Sequence, residues 1–279
     1  MLNMLWVHGW GASPELWRQD VERELPQHCH VFFSYKGCRT IAEARHRLLE
    51  VLNRGQGEAS IEDQAAPGQP WVVVGWSLGG LLALDALHQD RCRAERLTES
   101  AESFPAARPV ALDGAQRTAD RESIHAGSPH RLILVDSTLR FADRDRSRGW
   151  PPRVLARMRE QLAVSPQETL EQFARSMFTA AELQQPVVSA LLQLWCSDMN
   201  PELLLDGLGY LEATDLTPIW PLSARIQVHW IHGGSDSICP QGAIPAETAA
   251  EALLLPDAGH APFLTSPERF YAGIRSFLE

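Results

Sequence analysis

The chain has 279 residues, of which 44% are apolar, and this fits one large α/β domain or two small ones. Its formal net charge of −10 disfavours nucleic acid and anionic membrane surfaces as partners, and no apolar run approaches the about 20 residues that a membrane-spanning helix needs. The five scattered cysteines argue against a disulfide framework or a zinc site, and residues 1–10 lack the features of a signal peptide, so we expect a cytoplasmic protein.

The first half of the chain predicts strands and helices in alternation. Short apolar or β-branched runs predict buried strands over 2–8, 30–35, 71–75 and 131–135. Start signals and apolar periodicity predict helices from Ser13-Pro14-Glu15 onward, over 41–52 and over 78–89. Residues 93–130 show no sustained period, and we interpret them as a long surface insertion.

The second half begins with a mostly helical block over 151–213. Ser165 and Asn200 each precede a proline and are predicted to cap helices in this block, and Ser165 with Glu168 has the pattern of a capping box. Two more strands are predicted, over 226–232 and 252–255. Ser266 is predicted to cap a final amphipathic helix.

Strands that alternate with helices predict a mostly parallel sheet flanked by helices on both faces. The helical block interrupts this alternation, so residues 137–216 are expected to form an inserted helical lid above the carboxyl edge of the strands. The core then comprises residues 1–136 and 217–279, with 93–130 as its surface insertion.

Residues 75–80 read Gly-Trp-Ser-Leu-Gly-Gly and lie between a predicted strand and a predicted helix. A serine hydroxyl is a weak nucleophile that needs exposure and a nearby base. A sharp strand–turn–helix connection supplies the exposure, and Gly75 and Gly79 allow the strand and helix to approach closely. This context predicts that Ser77 is the nucleophile of an α/β-hydrolase fold; the alternative is an ordinary glycine-rich turn.

On this fold a catalytic triad follows the chain order serine, acid, histidine. Asp236 and His260 follow the last two predicted strands, so both are expected at the sheet edge that carries Ser77. His260 is predicted to be the base and Asp236 the acid that orients it. Asp136 is the alternative acid, because it ends the preceding strand and could also reach His260. Asp236 as a turn residue and His260 as a cap or surface residue are the structural alternatives.

Hydrolysis through Ser77 also needs two donors for the developing oxyanion. The Leu78 N–H is one candidate, and the Trp10 N–H, in the loop after the first strand, is the other. Trp10 and Trp76 are predicted to wall an apolar slot that the stretch from Phe173 to Met177 closes, with plain core packing as the alternative for Trp76. No phosphate loop or metal-ligand cluster occurs, so we expect neither cofactor nor metal.

The chain resembles the pimeloyl-acyl-carrier-protein methyl ester esterases of biotin synthesis over most of its length, except 93–130. The shared segments are 8–11 (His-Gly-Trp-Gly), 75–80, 207–211 (Gly-Leu-Gly-Tyr-Leu), 214–216 (Thr-Asp-Leu) and 259–263 (Gly-His-Ala-Pro-Phe). The resemblance implies a carboxylesterase that demethylates a pimeloyl thioester chain and spares the thioester. By the family pattern Ser77, Asp236 and His260 form the triad, Trp10 and Leu78 contact the substrate carbonyl, and residues 173–177 line the acyl channel.

Three departures from this family are visible. The chain starts directly at the strand before the His-Gly turn, without an antiparallel strand pair, and Tyr35-Lys36-Gly37-Cys38 replaces a glycine-rich stretch. The family's lid grips the acidic carrier protein with arginines, whereas the matching helix here reads Glu-Thr-Leu-Glu-Gln over 168–172. The candidate replacements are Arg153, Arg157, Arg159 and Arg175.

We therefore expect a monomeric esterase that acts on a small-molecule ester or one linked to acyl carrier protein. A general short-chain esterase or thioesterase on the same fold is the first alternative, because fold does not determine substrate. A catalytically silent protein that binds a ligand in the lid pocket is the second.

Overall fold

The computed structural model describes residues 1–54, 65–66, 68–102, 129, 131–193, 195, 197–222 and 226–279. These residues contain one sheet of six parallel strands in the order β2-β1-β3-β4-β5-β6. The strands are β1 (Asn3–Val7), β2 (Cys29–Phe33), β3 (Trp71–Trp76), β4 (Arg131–Val135), β5 (Gln227–Gly233) and β6 (Leu253–Leu255). This parallel sheet confirms the fold class predicted from the alternation of strands and helices.

Helices flank the sheet. They are α1 (Glu15–Glu24), α2 (Ile41–Arg54), α3 (Leu78–Glu102), α4 (Pro152–Val164), α5 (Pro166–Ser176), α6 (Pro186–Gln193), α7 (Pro201–Ala213), α8 (Ala246–Ala249), α9 (Pro262–Thr265) and α10 (Pro267–Leu278). Helices α4–α7 lie between β4 and β5, and we call residues 137–216 the helical insertion. Among the described residues, no helix is both long enough and apolar enough to cross a membrane.

The central strands place several loops at one edge of the sheet. Strands β1 and β3 are buried along their whole length, as expected for a parallel sheet covered on both faces. In the register of the sheet, Val7 pairs with Gly75 and Gly75 pairs with Leu134, so β1, β3 and β4 end at nearly the same level. The loops that follow them meet at the carboxyl edge, where open α/β sheets bind their ligands.

Helix α3 is longer than the sequence predicted. It continues to Glu102, whereas the predicted helix ends at residue 89, so residues 93–102 of the predicted surface insertion are helical. Arg93, Glu95 and Arg96 are exposed, and Arg91 and Glu95 form an i,i+4 ion pair of 3.6 Å on this helix. Residues 103–128 and 130 of the predicted insertion lie outside the described residues.

The predicted serine caps were also wrong. Ser165 and Ser266 occupy N-cap positions, but neither side chain makes a capping hydrogen bond. Their ψ angles of 71° and 50° differ from the extended ψ of 166° at Asn200, whose side chain does accept from the Leu203 N–H at 2.9 Å. Helix α1 begins at Glu15, one residue later than predicted.

Candidate active site

Ser77 lies on the sharp turn between β3 and α3. Its φ of 55° is in the left-handed region, which costs a non-glycine residue about 1–2 kcal/mol. Two hydrogen bonds hold the turn: the Ser77 N–H donates to Val135 O at 2.9 Å, and Ser137 Oγ donates to Ser77 O at 2.8 Å. The neighbouring strand and its following loop thus stabilise a strained serine at the sheet edge.

Three glycines bring α3 close to the sheet at this turn. A Cβ on Gly79 would collide with the carbonyl oxygen of Val7, and a Cβ on Gly75 would lie 2.5 Å from the Gly80 Cα. A Cβ on Gly80 would lie 2.5 Å from Ser137 Oγ, which holds the turn. The first turn of α3 therefore packs directly on the backbone of β1 and β3, with its N–H groups pointing towards the carboxyl edge.

His260 and Asp236 are brought together by the loops after β6 and β5. His260 Nδ1 lies 2.8 Å from Asp236 Oδ2, and both side chains are fully buried. Asp236 Oδ1 accepts hydrogen bonds from the N–H groups of Ile238 at 2.7 Å and Cys239 at 3.0 Å, which fixes the carboxylate. Because Asp236 accepts from Nδ1–H, the neutral imidazole has its free lone pair on Nε2.

Burial sets the charge state of the imidazole. It lowers the pKa of His260 to about 4, so the ring is neutral and able to accept a proton near neutral pH. The His260 Nε2 atom is buried and has no hydrogen-bond partner among the described residues. An unpartnered nitrogen of this kind is available to a hydroxyl nucleophile or a water molecule.

The loop that carries His260 is held by the helical insertion and by the core. The His260 N–H donates to Met177 O at 2.8 Å, and Trp76 Nε1 donates to His260 O at 2.7 Å. The buried Glu182 carboxylate accepts from the Gly259 N–H at 3.0 Å. Sequence reasoning missed Glu182, although Thr179-Ala-Ala-Glu182 is a capping-box pattern.

The loop after β1 is tied to the helical insertion. Trp10 Nε1 donates to Leu204 O at 2.9 Å, and Trp195 Nε1 donates to Gly11 O at 3.0 Å. The backbone N–H groups of Trp10 and Leu78 have no acceptor in the part of the chain that the structure describes. These two N–H groups, which we predict to be the oxyanion donors, therefore have no competing acceptor among the described residues.

His8 contacts the backbone of the loop after β1. Its Nδ1 lies 3.0 Å from Gly9 O, and its Nε2 lies 3.1 Å from Asp198 Oδ1. Asp198 Oδ2 also accepts from Ser34 Oγ at 2.5 Å and from the Tyr35 N–H at 2.8 Å. The sequence did not reveal Asp198, which lies 190 positions from His8 along the chain.

Aromatic side chains form a wall beside the loop after β1. Phe173 packs edge-on against Trp10 with ring centroids 5.0 Å apart, and it lies 6.1 Å from Trp150. Met177 is also buried. Trp76 is also fully buried and contacts the core aromatics Trp17 and Phe263, as the core-packing alternative expects.

Among the described residues, two buried groups each contain three side chains of metal-ligating types. One is Asp236, Cys239 and His260, and the other is Asp136, His232 and Asp236. Both share Asp236, whose oxygens already accept from Ile238, Cys239 and His260. This arrangement satisfies the carboxylate by hydrogen bonds, and it is better suited to orienting an imidazole than to binding a cation.

Comparison with known proteins agrees with this architecture. The curated relatives include pimeloyl-[acyl-carrier protein] methyl ester esterases from Vibrio vulnificus, 28% identical over 99% of this chain and 93% of the relative, and from Aeromonas hydrophila, 24% identical over 99% and 95%. Solved structures with the same fold include an esterase from Exiguobacterium antarcticum, at a TM-score of 0.67 and 16% identity over 99% of this chain and 91% of that one.

A thermophilic esterase from Thermogutta terrifontis has a TM-score of 0.66 and 19% identity. The match covers 100% of this chain and 89% of that chain. The sequence model of the alpha/beta hydrolase family matches residues 4–273, which is nearly the whole chain. The chain therefore belongs to the alpha/beta hydrolase family and is an enzyme of the esterase type.

Proposed function

We propose that this enzyme is a serine carboxylesterase that hydrolyses the methyl ester of a pimeloyl chain carried by an acyl carrier protein. Ser77 is the nucleophile, His260 the general base and Asp236 the orienting acid. The observation that carries the proposal is the buried 2.8 Å contact between His260 Nδ1 and Asp236, which leaves Nε2 free at the sheet edge where Ser77 sits. The substrate is suggested by the relatives, which are pimeloyl-[acyl-carrier protein] methyl ester esterases.

In the proposed reaction Ser77 Oγ attacks the ester carbonyl while His260 Nε2 accepts the hydroxyl proton. The Trp10 and Leu78 N–H groups stabilise the oxyanion. His260 then returns the proton to the methoxide oxygen, and methanol leaves. A water molecule attacks the acyl-enzyme with His260 again as base, which releases the carboxylate and regenerates Ser77.

The acyl chain is proposed to lie along the aromatic wall. The Phe173 ring lies 5.0 Å from that of Trp10 and 6.1 Å from that of Trp150, and Met177 adds a flexible thioether. Such a surface suits a saturated methylene chain, because each buried methylene group contributes about 0.8 kcal/mol.

Exposed arginines on α4 and α5 support recognition of an acidic carrier protein. Arg153, Arg157 and Arg175 are exposed and form no ion pair within the described residues, whereas Arg159 pairs with Glu212 at 3.2 Å. The exposed loop before α4 adds Arg144, Arg146 and Arg148. In a chain with a net charge of −10, this local concentration of arginine is a surface that could steer an acidic partner.

The proposal is tested with an activity panel. Carrier-linked pimeloyl methyl ester, a short p-nitrophenyl ester and an acyl thioester are compared as substrates of the wild type and of Ser77→Ala. We expect the carrier-linked methyl ester to have the highest kcat/KM and the thioester to remain unhydrolysed. Ser77→Ala should hydrolyse none of the three substrates. Arg153→Glu with Arg157→Glu should raise KM for the carrier-linked substrate alone.

A second experiment tests whether the enzyme acts in biotin synthesis. The gene is expressed in a biotin auxotroph that lacks its methyl esterase, and growth without biotin is expected. Good turnover of short esters or thioesters without growth would favour the alternative of a general esterase or thioesterase. Absence of any turnover would favour a ligand-binding protein.

A further inference from the structure

A second buried carboxyl group lies beside the His260–Asp236 pair. Asp136 directly follows β4, is fully buried and has a φ of 43°, in the left-handed region. Carboxylate oxygens of Asp136 and Asp236 and a ring nitrogen of His232 lie within 4.8 Å of one another. Two acids this close in a buried site cannot both be ionised without a large unfavourable energy.

The hydrogen bonds available to the two acids differ. Asp236 accepts from Ile238 N–H, Cys239 N–H and His260 Nδ1–H. Asp136 Oδ1 accepts only from the Gly233 N–H, at 2.7 Å, and Asp136 Oδ2 has no donor among the described residues. A negative charge is therefore far better stabilised on Asp236 than on Asp136.

The other titratable groups around Asp136 supply no cation to balance a second charge. His232 Nδ1 lies 4.0 Å from Asp136 Oδ1, while His232 Nε2 donates to Cys239 O at 2.6 Å. Burial lowers the pKa of His232 to about 4 and that of His260 likewise to about 4, so both rings are neutral. Burial also raises the pKa of the Cys239 thiol, which is therefore uncharged.

We propose that Asp136 is a protonated carboxylic acid whose O–H donates to the Asp236 carboxylate, so that the pair carries a single negative charge. Asp136 is then a positioning residue that holds Asp236 towards His260, and this inference rests on the proposed function of that site. The proton gives the otherwise unpartnered Asp136 Oδ2 a hydrogen-bond partner. It also separates the roles of two acids that the sequence alone left as alternatives.

The electrostatics of the pair agree with this geometry. Burial raises the pKa of Asp136 well above its usual range, and the neighbouring Asp236 carboxyl raises it further. The hydrogen bond between the two carboxyl groups also raises the pKa of Asp136. Burial raises the pKa of Asp236 as well, but hydrogen bonds from the Ile238 and Cys239 N–H groups and from Asp136 lower it, so Asp236 is the more acidic of the two. The remaining nearby acid is Glu182, whose charge raises the pKa of Asp236.

The test is infrared spectroscopy of the wild type, Asp136→Asn and Asp136→Ala at pH 7. The wild type should show the carbonyl stretch of a protonated carboxylic acid, shifted in D2O and absent from Asp136→Asn. Glu182→Gln is the matched control and should retain the band. This readout is independent of activity, so it decides the protonation state even if the proposed reaction proves wrong.

Kinetics provide the second readout. An asparagine amide can accept from Gly233 N–H and donate to Asp236, so Asp136→Asn should keep kcat within about threefold and leave the acid limb of the pH profile of kcat/KM unchanged. Asp136→Ala removes the donor and should lower kcat at least about tenfold with KM unchanged.

Absence of the band in the wild type, or its persistence in Asp136→Asn, would overturn the inference. A downward shift of the acid limb in Asp136→Asn would do the same, because an ionised Asp136 raises the pKa of His260 and its removal would lower it.

Discussion

The Glu182 carboxylate accepts a hydrogen bond of 3.0 Å from the N–H of Gly259, the residue before His260. The same carboxylate accepts from the Thr179 N–H at 2.7 Å, and the Glu182 N–H donates to Thr179 Oγ1 at 3.2 Å. One buried side chain thus caps a turn of the helical insertion and holds the loop that presents the proposed base.

Replacement of Glu182 by alanine should impair both stability and turnover. It leaves the buried Gly259 N–H and the partly buried Thr179 N–H without an acceptor, and a buried unsatisfied group costs about 1–3 kcal/mol. We expect a lower midpoint in urea and a lower kcat, measured with a short p-nitrophenyl ester. Glu168→Ala, at an exposed position of α5, is the control and should change neither. Unchanged kcat in Glu182→Ala would show that the loop does not need this contact.

Gly207 leaves room for the indole of Trp10. A Cβ on Gly207 would lie 2.9 Å from Trp10 Cδ1 and 3.2 Å from Nε1, whereas a Cβ on Gly209 would have no neighbour within 4 Å. Gly207→Ala should therefore displace Trp10 and lower kcat, at an overpacking cost of about 1–3 kcal/mol in stability.

Gly209→Ala is the matched control on the same helix. It should stabilise the protein by up to about 1 kcal/mol, since alanine is the better helix former, and it should leave kcat unchanged. Urea denaturation and ester hydrolysis are measured for both variants. Equal effects of the two substitutions would contradict the proposed fit of Trp10 against Gly207.

Asp236→Asn should lower kcat by about 10³–10⁴-fold with little loss of stability. The asparagine oxygen can still accept from the Ile238 and Cys239 N–H groups, but its NH2 group would face His260 Nδ1 and favour the wrong tautomer. The measurement is kcat for a short ester alongside the urea midpoint. Retention of more than about a tenth of wild-type kcat would mean that Asp236 is not the orienting acid.

His232 should make the protein sensitive to acid. Its pKa is lowered by burial to about 4, below the usual value of 6.5, so its contribution to stability is complete above pH 6.5 and is lost as the pH falls to about 4. The loss amounts to roughly 3 kcal/mol. Urea titrations from pH 7 to pH 4 should show a smaller decline in the free energy of unfolding for His232→Gln than for the wild type. Parallel curves for the two proteins would contradict this account.

Local patterns were sufficient to predict the elements that carry the proposed site. The valine run before Gly75 predicted β3, the glycines around Ser77 predicted the close turn, and the loops after the last two strands brought Asp236 to His260. These features follow from short-range preferences and from the rule that parallel strands end at one edge.

Contacts between distant parts of the chain could not be predicted in this way. The pairing of Glu182 with Gly259 and of His8 with Asp198 depends on how the helical insertion packs on the sheet edge. The conformation of Ser165 likewise depends on the packing of α4 against α5, and this packing overrode the capping preference of serine. Residues 93–102 of α3 have no sustained apolar period in their sequence and so gave no signal of helix.

The most direct test of the nucleophile is labelling with a fluorophosphonate followed by mass spectrometry of the digested protein. The wild type is predicted to carry a single adduct on Ser77, with ester hydrolysis lost in proportion to labelling. Ser77→Ala should remain unlabelled, and His260→Gln should label far more slowly. An adduct at another residue, or undiminished hydrolysis of a short ester by Ser77→Ala, would contradict the central claim.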